Sequence, residues 1–316
     1  TALAHRPRDP CPPRAEASPE RRTSEPMKVI VAGAGGQLGR ELARTRPAGV
    51  DLLALERNAL DIGAPGEASH CLAQARPALV INAAAYTAVD AAESDVEAAE
   101  RANAVGPGLL AEACAEVGAR LLHVSTDFVF DGTACSPYSP DAPTGPLGVY
   151  GRSKLAGENA VRAALPAALV MRTGWVYSAF GGNFVKTMLR LMGERSELTV
   201  VADQVGTPTW ARGLAHALWR AAERPHLKGI YHWSDAGVCS WYDFAVAICE
   251  EGRDIGLLGS PVDIRPIPAS EYPTPALRPA FSVLDKAASW RDLELEAVHW
   301  RQQVRNMLKD YKEMQV

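Results

Sequence analysis

From residue 27 onward, short unbroken apolar runs alternate with longer Ala-rich stretches whose apolar positions recur at helical spacing. The runs are KVIVAG (28–33), DLLALE (51–56), ALVINAAA (78–85), ARLLHVST (119–126) and AALVMRTGW (167–175). Each is apolar throughout rather than at every second position, the pattern of parallel strands covered on both faces. Between them lie QLGRELART, GEASHCLAQA, AAERANAVGPGLLAEACAEVG and GRSKLAGENAVRAAL. This β-α-β-α order predicts an α/β fold with a right-handed, doubly wound parallel sheet. ELTVVAD (197–203) and GIYHWS (229–234) are further strand candidates able to extend that sheet.

The later chain changes character. Residues 176–195 and 231–316 are richer in Trp, Pro and Tyr, with helical periodicity near 184–194, 240–252 and 297–312. They predict a second, smaller α/β lobe built from separated segments and set against a main domain of residues 27–175 and 196–230. Ligands of open α/β sheets bind beyond the carboxyl ends of the strands, so a substrate is expected in a cleft there. Residues 1–26, TALAHRPRDPCPPRAEASPERRTSEP, are rich in Pro and Arg and lack apolar periodicity. Such a segment buries too little surface to offset its chain entropy and is expected to be a disordered extension. It holds no apolar stretch of the kind that marks a secretory signal.

Composition narrows the function classes. At 47% hydrophobic and 22% charged residues, the chain reads as an ordinary soluble globular protein. A net charge of −4 argues against nucleic acid or an anionic membrane as a partner. No uncharged apolar run reaches the ~18 to 20 residues of a membrane helix. Cys11, Cys71, Cys114, Cys135, Cys239 and Cys249 show no C-x-x-C pairing and no Cys/His cluster. Free thiols in a reducing cytoplasm, and no cysteine-based metal site, are therefore expected.

Candidate chemistry begins at VIVAGAGGQLGRELA, where Gly33, Gly36 and Gly39 follow the first strand and open a helix. Glycine permits the tight turn, lets backbone N–H groups approach a pyrophosphate, and lets the helix pack close to the sheet. Gln37 and Leu38 fall in the same turn. Together these features predict a Rossmann-type dinucleotide-binding domain. Glu56 ends the second strand, where an acid accepts hydrogen bonds from an adenosine ribose, and Arg57 beside it suits a 2′-phosphate, so NADH and NADPH both stay open. Asp61, followed by Ile62, either approaches the adenine or caps its own turn. NAAAYTAVD (82–90) ends a strand in small residues, which lets a dinucleotide lie against the backbone of Ala83, Ala84, Ala85, Tyr86 and Thr87.

Tyr150 and Lys154 stand four positions apart in VYGRSKLAGE, behind a Pro- and Gly-rich loop. Water gives a phenol and an ammonium no reason to share a helical face. An active site does, because a carbonyl that accepts hydride becomes an alkoxide and needs a proton at once. An unperturbed phenol, with a pKa of ~10, gives its proton up reluctantly. An ammonium about 4 to 5 Å away in a partly desolvated site is expected to lower that pKa. The fourth strand ends in STD (125–127), which brings Thr126, with Ser125 nearby, to the same end of the sheet as a donor to the carbonyl oxygen. The purely structural alternative is a packed Tyr150 with Lys154 paired to Glu158.

The glycine loop, the Ser/Thr after the fourth strand and Tyr-x-x-x-Lys, in that order, resemble the extended short-chain dehydrogenase/reductase family. Within it, INAAAYTAVDAAESD, STDFVFDGT, VYGRSKLAGE, RTGWVY, NFVKTMLRL, DQVGTPT and YPTPALRP together resemble the dTDP-4-dehydrorhamnose reductases, from Met27 to the last helix. The resemblance implies reduction of the C4 ketone of dTDP-4-dehydro-L-rhamnose to dTDP-L-rhamnose by NADPH or NADH, in the cytoplasm. It makes Tyr150 the proton donor and Lys154 its partner, puts Thr126 and Asp127 on the sugar, packs Trp175 on the deoxysugar, and adds Asn183 to the substrate site. Some relatives bind Mg2+ at a homodimer interface through glutamates. Glu41 matches one, but Arg212 stands where a second would sit, which argues against a metal-bridged homodimer here. The glycine loop also reads G-A-G-G rather than G-x-T-G or G-x-S-G, removing a hydroxyl contact to a cofactor phosphate. Two other readings stay open. The regulatory β subunit of methionine adenosyltransferase is similar to this family and serves as a partner rather than a catalyst. Epimerases and dehydratases act on other nucleotide sugars, dehydratases with an acidic pair in the segment where Asp127 and Asp131 stand.

Overall fold

A computed structural model describes residues 26–296 and 298–315, so the extension expected over 1–26 lies, apart from Pro26, outside the described residues. Strands β1 (Met27–Ala32), β2 (Val50–Leu55), β3 (Leu79–Asn82), β4 (Arg120–Thr126) and β5 (Leu169–Thr173) join Gly229–His232 in one six-stranded sheet. The order is Gly229–His232, β5, β4, β3, β1, β2, and every pairing is parallel. β2 and β3 leave β1 on opposite sides, so the carboxyl end of β1 lies at a switch point where ligand crevices form. Helices Gln37–Arg44 and Ala211–Ala222 cover one face, over Val29, Val31, Leu122 and Met171. Helices Glu67–Ala75, Gly106–Val117 and Val149–Ala164 cover the other, over Ile30, Val80, Leu121 and Val170.

Three local expectations change. β2 is a sheet edge, and its run DLLALE is not doubly buried: Asp51, Leu53 and Ala54 face solvent. Glu197–Val201 does not extend the main sheet. It pairs in parallel with Asp263–Ile267, and Leu198 and Val200 enter the core of the second lobe beside Val185, Phe244 and Ile248. Its residues alternate, with Leu198 and Val200 buried and Glu197 and Thr199 exposed, as suits a strand covered on one face only. The long helix expected through AAERANAVGPGLLAEACAEVG is divided by a π-helical turn at Arg101–Val105. Pro107 brings no backbone N–H to the next turn, and a wider turn accommodates that loss. The bulge leaves the Asn103 side chain fully buried.

The second lobe packs helices Phe184–Glu194, Trp241–Asp254 and Trp300–Glu313 around the Glu197–Val201 pair. A reciprocal cap opens the middle helix: the Ser240 hydroxyl accepts from the Asp243 N–H at 3.1 Å, and Asp243 accepts the Ser240 N–H at 2.9 Å. Among the described residues no helix is long and apolar enough to cross a membrane. Cys71, Cys114, Cys135, Cys239 and Cys249 are free thiols.

Candidate active site

A cleft of about 620 Å³ borders the carboxyl ends of β1, β2 and β3, lined by Gly33, Gly36, Glu56, Asp61, Ala84 and Tyr86 among others. Gly33 is what lets the loop close on its floor. Its φ is +81°, and a Cβ there would stand 2.6 Å from the Ala84 nitrogen. Gly36 is the cap residue before Gln37–Arg44, and Gly39 packs against the loop's own backbone, so the first-turn N–H groups lie at the edge of the cleft. Leu38 and Ile62 are buried, and Ile62 also lines the cleft. Ala85 and Thr87 are exposed. Asp61 caps its own turn, accepting the Gly63 N–H at 3.0 Å, and also pairs with Arg101 and, at 3.7 Å, with Arg57.

Two asparagines hold the floor of this cleft. Asn82 accepts the Ala84 N–H at 3.0 Å. Asn103 accepts the Tyr86 N–H at 2.8 Å and donates to the Tyr86 carbonyl at 3.0 Å and to Ser153 Oγ at 3.1 Å. Asn103 therefore ties the floor of the cleft to the helix that carries Tyr150 and Lys154. Sequence reasoning missed it, because its position inside the core depends on the π-helical turn.

Helix Val149–Ala164 starts where Glu93 accepts the Val149 N–H at 2.7 Å, a carboxylate at a helix N-terminus. Tyr150 sits in the first turn, edge-on to Phe128 at 5.5 Å between ring centroids. Burial pushes its phenol up to about 12; the Thr126 hydroxyl pulls against this, and the Asp127 charge adds to it. The expected lowering by Lys154 is thus reversed in this structure. Lys154 is itself buried, its ammonium donates to the Val124 carbonyl at 2.7 Å, and burial lowers its pKa to about 8 against the pull of Glu158. Desolvation is the largest influence on the phenol, the Lys154 ammonium being held by the Val124 carbonyl, and Tyr150 keeps its proton throughout the physiological pH range.

No Lys154–Glu158 ion pair forms within the described residues. Glu158 is bound instead by Arg172, through Nε at 2.9 Å and Nη2 at 2.7 Å, and by Ser125 Oγ at 2.5 Å. Ser125 is thereby committed away from the phenol, and Thr126 is the hydroxyl beside it. Asp127, next in the chain, is 2% exposed. Burial pushes its carboxyl up to about 6, against hydrogen bonds from Ser282, Thr126 and the backbone.

Gly174 packs on this carboxylate so closely that a Cβ would stand 2.6 Å from Asp127 Oδ2. Trp175 follows with φ +50°, a left-handed conformation that is strained for a bulky side chain. Its indole stacks on Trp241 with centroids 3.5 Å apart and planes 6° from parallel. Trp241 lines a second cavity of about 630 Å³, together with Phe184, Tyr272, Arg195 and Arg278. Neither cavity is lined by Tyr150 or Thr126; the contacts from Asp127 through Gly174 and Trp175 to Trp241 lead from these groups to the second one. Asn183 has other partners. Its amide donates to Gln37 Oε1 at 2.9 Å and the Ser178 carbonyl at 2.7 Å, and its oxygen accepts the Lys186 N–H at 3.1 Å. The structure gives it a capping and tethering role.

Glu41 is fully buried and neutralised by the protein itself. Arg212 Nε donates to it at 3.0 Å and Ser178 Oγ at 2.8 Å, while Arg212 and Arg44 both bind Asp310. A guanidinium fills the place a cation would need, and no group of three His, Cys, Asp or Glu side chains suited to a metal occurs among the described residues. These residues do not fit Mg2+.

Residues 27–313 match the RmlD substrate binding domain. A dTDP-4-dehydrorhamnose reductase of Burkholderia thailandensis is 46% identical over 294 residues, covering 90% of this chain and 99% of that protein. A probable dTDP-4,6-dihydroxy-2-methyloxan-3-one 4-ketoreductase of Streptomyces antibioticus is 41% identical over 90% of this chain and 95% of its own length. The crystal structure of dTDP-4-dehydrorhamnose reductase from Bacillus anthracis in complex with NADP superposes with a TM-score of 0.84 at 34% identity, covering 90% of this chain and 99% of that one. The match spans nearly the whole described chain, and the chain belongs to the RmlD substrate binding domain family, that of the dTDP-4-dehydrorhamnose reductases.

Proposed function

We propose that this protein reduces the C4 ketone of dTDP-4-dehydro-L-rhamnose to dTDP-L-rhamnose, with Tyr150 as the proton donor. The observation that carries the reading is the placement of Tyr150 beside Thr126, at the carboxyl end of β4 and in one cluster with Tyr86 of the switch-point cleft. Bound NADPH or NADH supplies the hydride. Thr126, turning its hydroxyl away from Asp127, and Tyr150 donate hydrogen bonds to the carbonyl oxygen, and as negative charge gathers there Tyr150 releases its proton to it. Lys154, charged below about pH 8, stabilises the phenolate left behind. Asp127 accepts from a sugar hydroxyl. The cavity walled by Phe184, Trp241 and Tyr272, with Arg195 and Arg278 at its lining, suits a nucleoside diphosphate: rings for the base and guanidinium groups for the phosphates.

The test is NAD(P)H oxidation followed spectrophotometrically with dTDP-4-dehydrorhamnose, run beside the UDP analogue. No oxidation with either would favour a regulatory subunit that keeps only the nucleotide site. A dehydratase is disfavoured by Asp131, which accepts from Thr133 N at 3.0 Å and Tyr138 Oη at 2.7 Å and is thereby held within its own loop. The reaction belongs in the cytoplasm, where the reduced cofactor is supplied, and a homodimer would form without a bridging metal.

Both cofactors are expected to serve. Glu56 repels a 2′-phosphate, whereas Arg57 and Arg101 at the same end of the cleft attract one. A ratio of kcat/KM between NADPH and NADH beyond about a thousandfold, roughly 4 kcal/mol, would contradict this mixed site. Trp175→Ala is expected to lower kcat/KM for the sugar nucleotide by the equivalent of about 1 to 3 kcal/mol and to leave NADPH affinity alone. Thermal unfolding of the same variant separates the roles. Heavy destabilisation with unchanged kinetics would make the indole a support for Trp241 and nothing more.

A further inference from the structure

Segment 268–280 crosses from the second lobe to the main domain, where Pro279 packs on Gly132 and Asp90 binds Arg278. Arg278 grips Asp90 with both nitrogens, Nη1 to Oδ1 at 3.0 Å and Nη2 to Oδ2 at 2.7 Å, and the Ala276 N–H adds a third bond to Oδ1 at 3.2 Å. Among the described residues Asp90 is the only carboxylate paired with this guanidinium, which holds the Asp90 carboxyl below its usual range. The fastened segment lies near the catalytic helix: the Leu277 carbonyl is 4.0 Å from where a Cβ on Gly148 would stand, two residues before Tyr150. Arg278 also lines the second cavity, with Tyr272 and Thr274 of the same segment.

One guanidinium thus serves two surfaces, a half-exposed carboxylate and the wall of a cavity with aromatic rings. We propose that Asp90 and Arg278 form a latch that the substrate opens, Arg278 exchanging Asp90 for an oxygen of the substrate's diphosphate. The inference rests on the nucleotide-sugar reading above and deepens it. The charges favour the exchange. The fork of donors that matches a carboxylate also matches a phosphate. A diphosphate carries more charge than Asp90, and it meets the same fork of donors that the half-exposed carboxylate occupies. Asp90 would then act as a built-in competitor: the fraction of molecules with Arg278 free sets the apparent affinity.

The latch makes two neighbouring substitutions act in opposite directions. Binding of dTDP to the NADP+-loaded protein is measured by calorimetry, with thymidine as the phosphate-free control. Arg278→Gln should weaken dTDP binding roughly tenfold or more, the loss of a charge-assisted contact to phosphate. Asp90→Asn should tighten it, by about twofold to fivefold, because the competitor is gone. Combined, the two changes should match Arg278→Gln alone, and thymidine should respond to neither. If the pair only straps the segment in place, both single changes weaken dTDP and thymidine alike, and the latch is refuted. Unchanged dTDP binding in Arg278→Gln refutes it equally. Failure of the unaltered protein to bind dTDP at all would strike the nucleotide-sugar reading itself, and the latch with it.

Discussion

Tyr150→Phe is expected to lower kcat by between about a hundredfold and ten-thousandfold, the usual contribution of a positioned general acid, while NADPH binding and folding persist. The change removes one oxygen from a ring that is otherwise held by packing against Phe128 and by its place in the first helical turn. The lost hydroxyl is the one kept protonated by burial, so no other group at β4 replaces it: Ser125 is bound to Glu158, and Thr126 lacks the acidity. A fall of less than tenfold would remove Tyr150 as the proton donor. The pH dependence supplies an independent check. Tyr150 titrates at about 12, so loss of kcat/KM on the alkaline side should follow Lys154, whose ammonium is lost as pH rises through about 8. A profile flat to pH 10 would dismiss that charge from the mechanism.

Much of this site is legible in the chain because it depends on local rules. Unbroken apolar runs mark β1, β3 and β5, and a glycine at a left-handed turn marks the cofactor loop. What escapes is whatever depends on a partner far along the chain. ELTVV reads as a strand from its residues, but its place beside Asp263–Ile267 is set by which core can cover its single apolar face. Asn103 looks like a solvated helix position until the turn around it widens. Asp90 and Arg278 lie 188 residues apart, and neither residue's neighbours hint at the other. Lys154 is the clearest lesson. Its spacing from Tyr150 is local, but the desolvation that raises the phenol and lowers the ammonium is a property of the folded interior that no spacing reveals.

Asp127→Asn is expected to make the protein more stable at pH 8 and less active. The carboxyl is 2% exposed and titrates at about 6 against an ordinary 3.8, and the groups that bind it are hydroxyls and backbone N–H groups rather than cations. A group whose pKa is raised on folding favours the folded state at low pH. Below about pH 4 both states hold the proton; between there and about 6 the unfolded chain loses it first; above about 6 the folded protein bears the full cost of a buried charge. That cost is about 3 kcal/mol at most. Asparagine should recover part of it at pH 8, and the advantage should shrink toward zero near pH 4, which urea unfolding at the two pH values would measure. An unstable Asn variant at pH 8 would mean that the Ser282 and Thr126 hydrogen bonds outweigh desolvation. The expected result has a functional reading. An anion kept in a dry wall with hydroxyl and backbone donors but no counter-ion gains from each further donor, and on the proposed reading a sugar hydroxyl arriving beside Tyr150 would supply one. Stability forgone at Asp127 is then recovered only when substrate is bound, which is the pattern expected of a binding group rather than of a core residue.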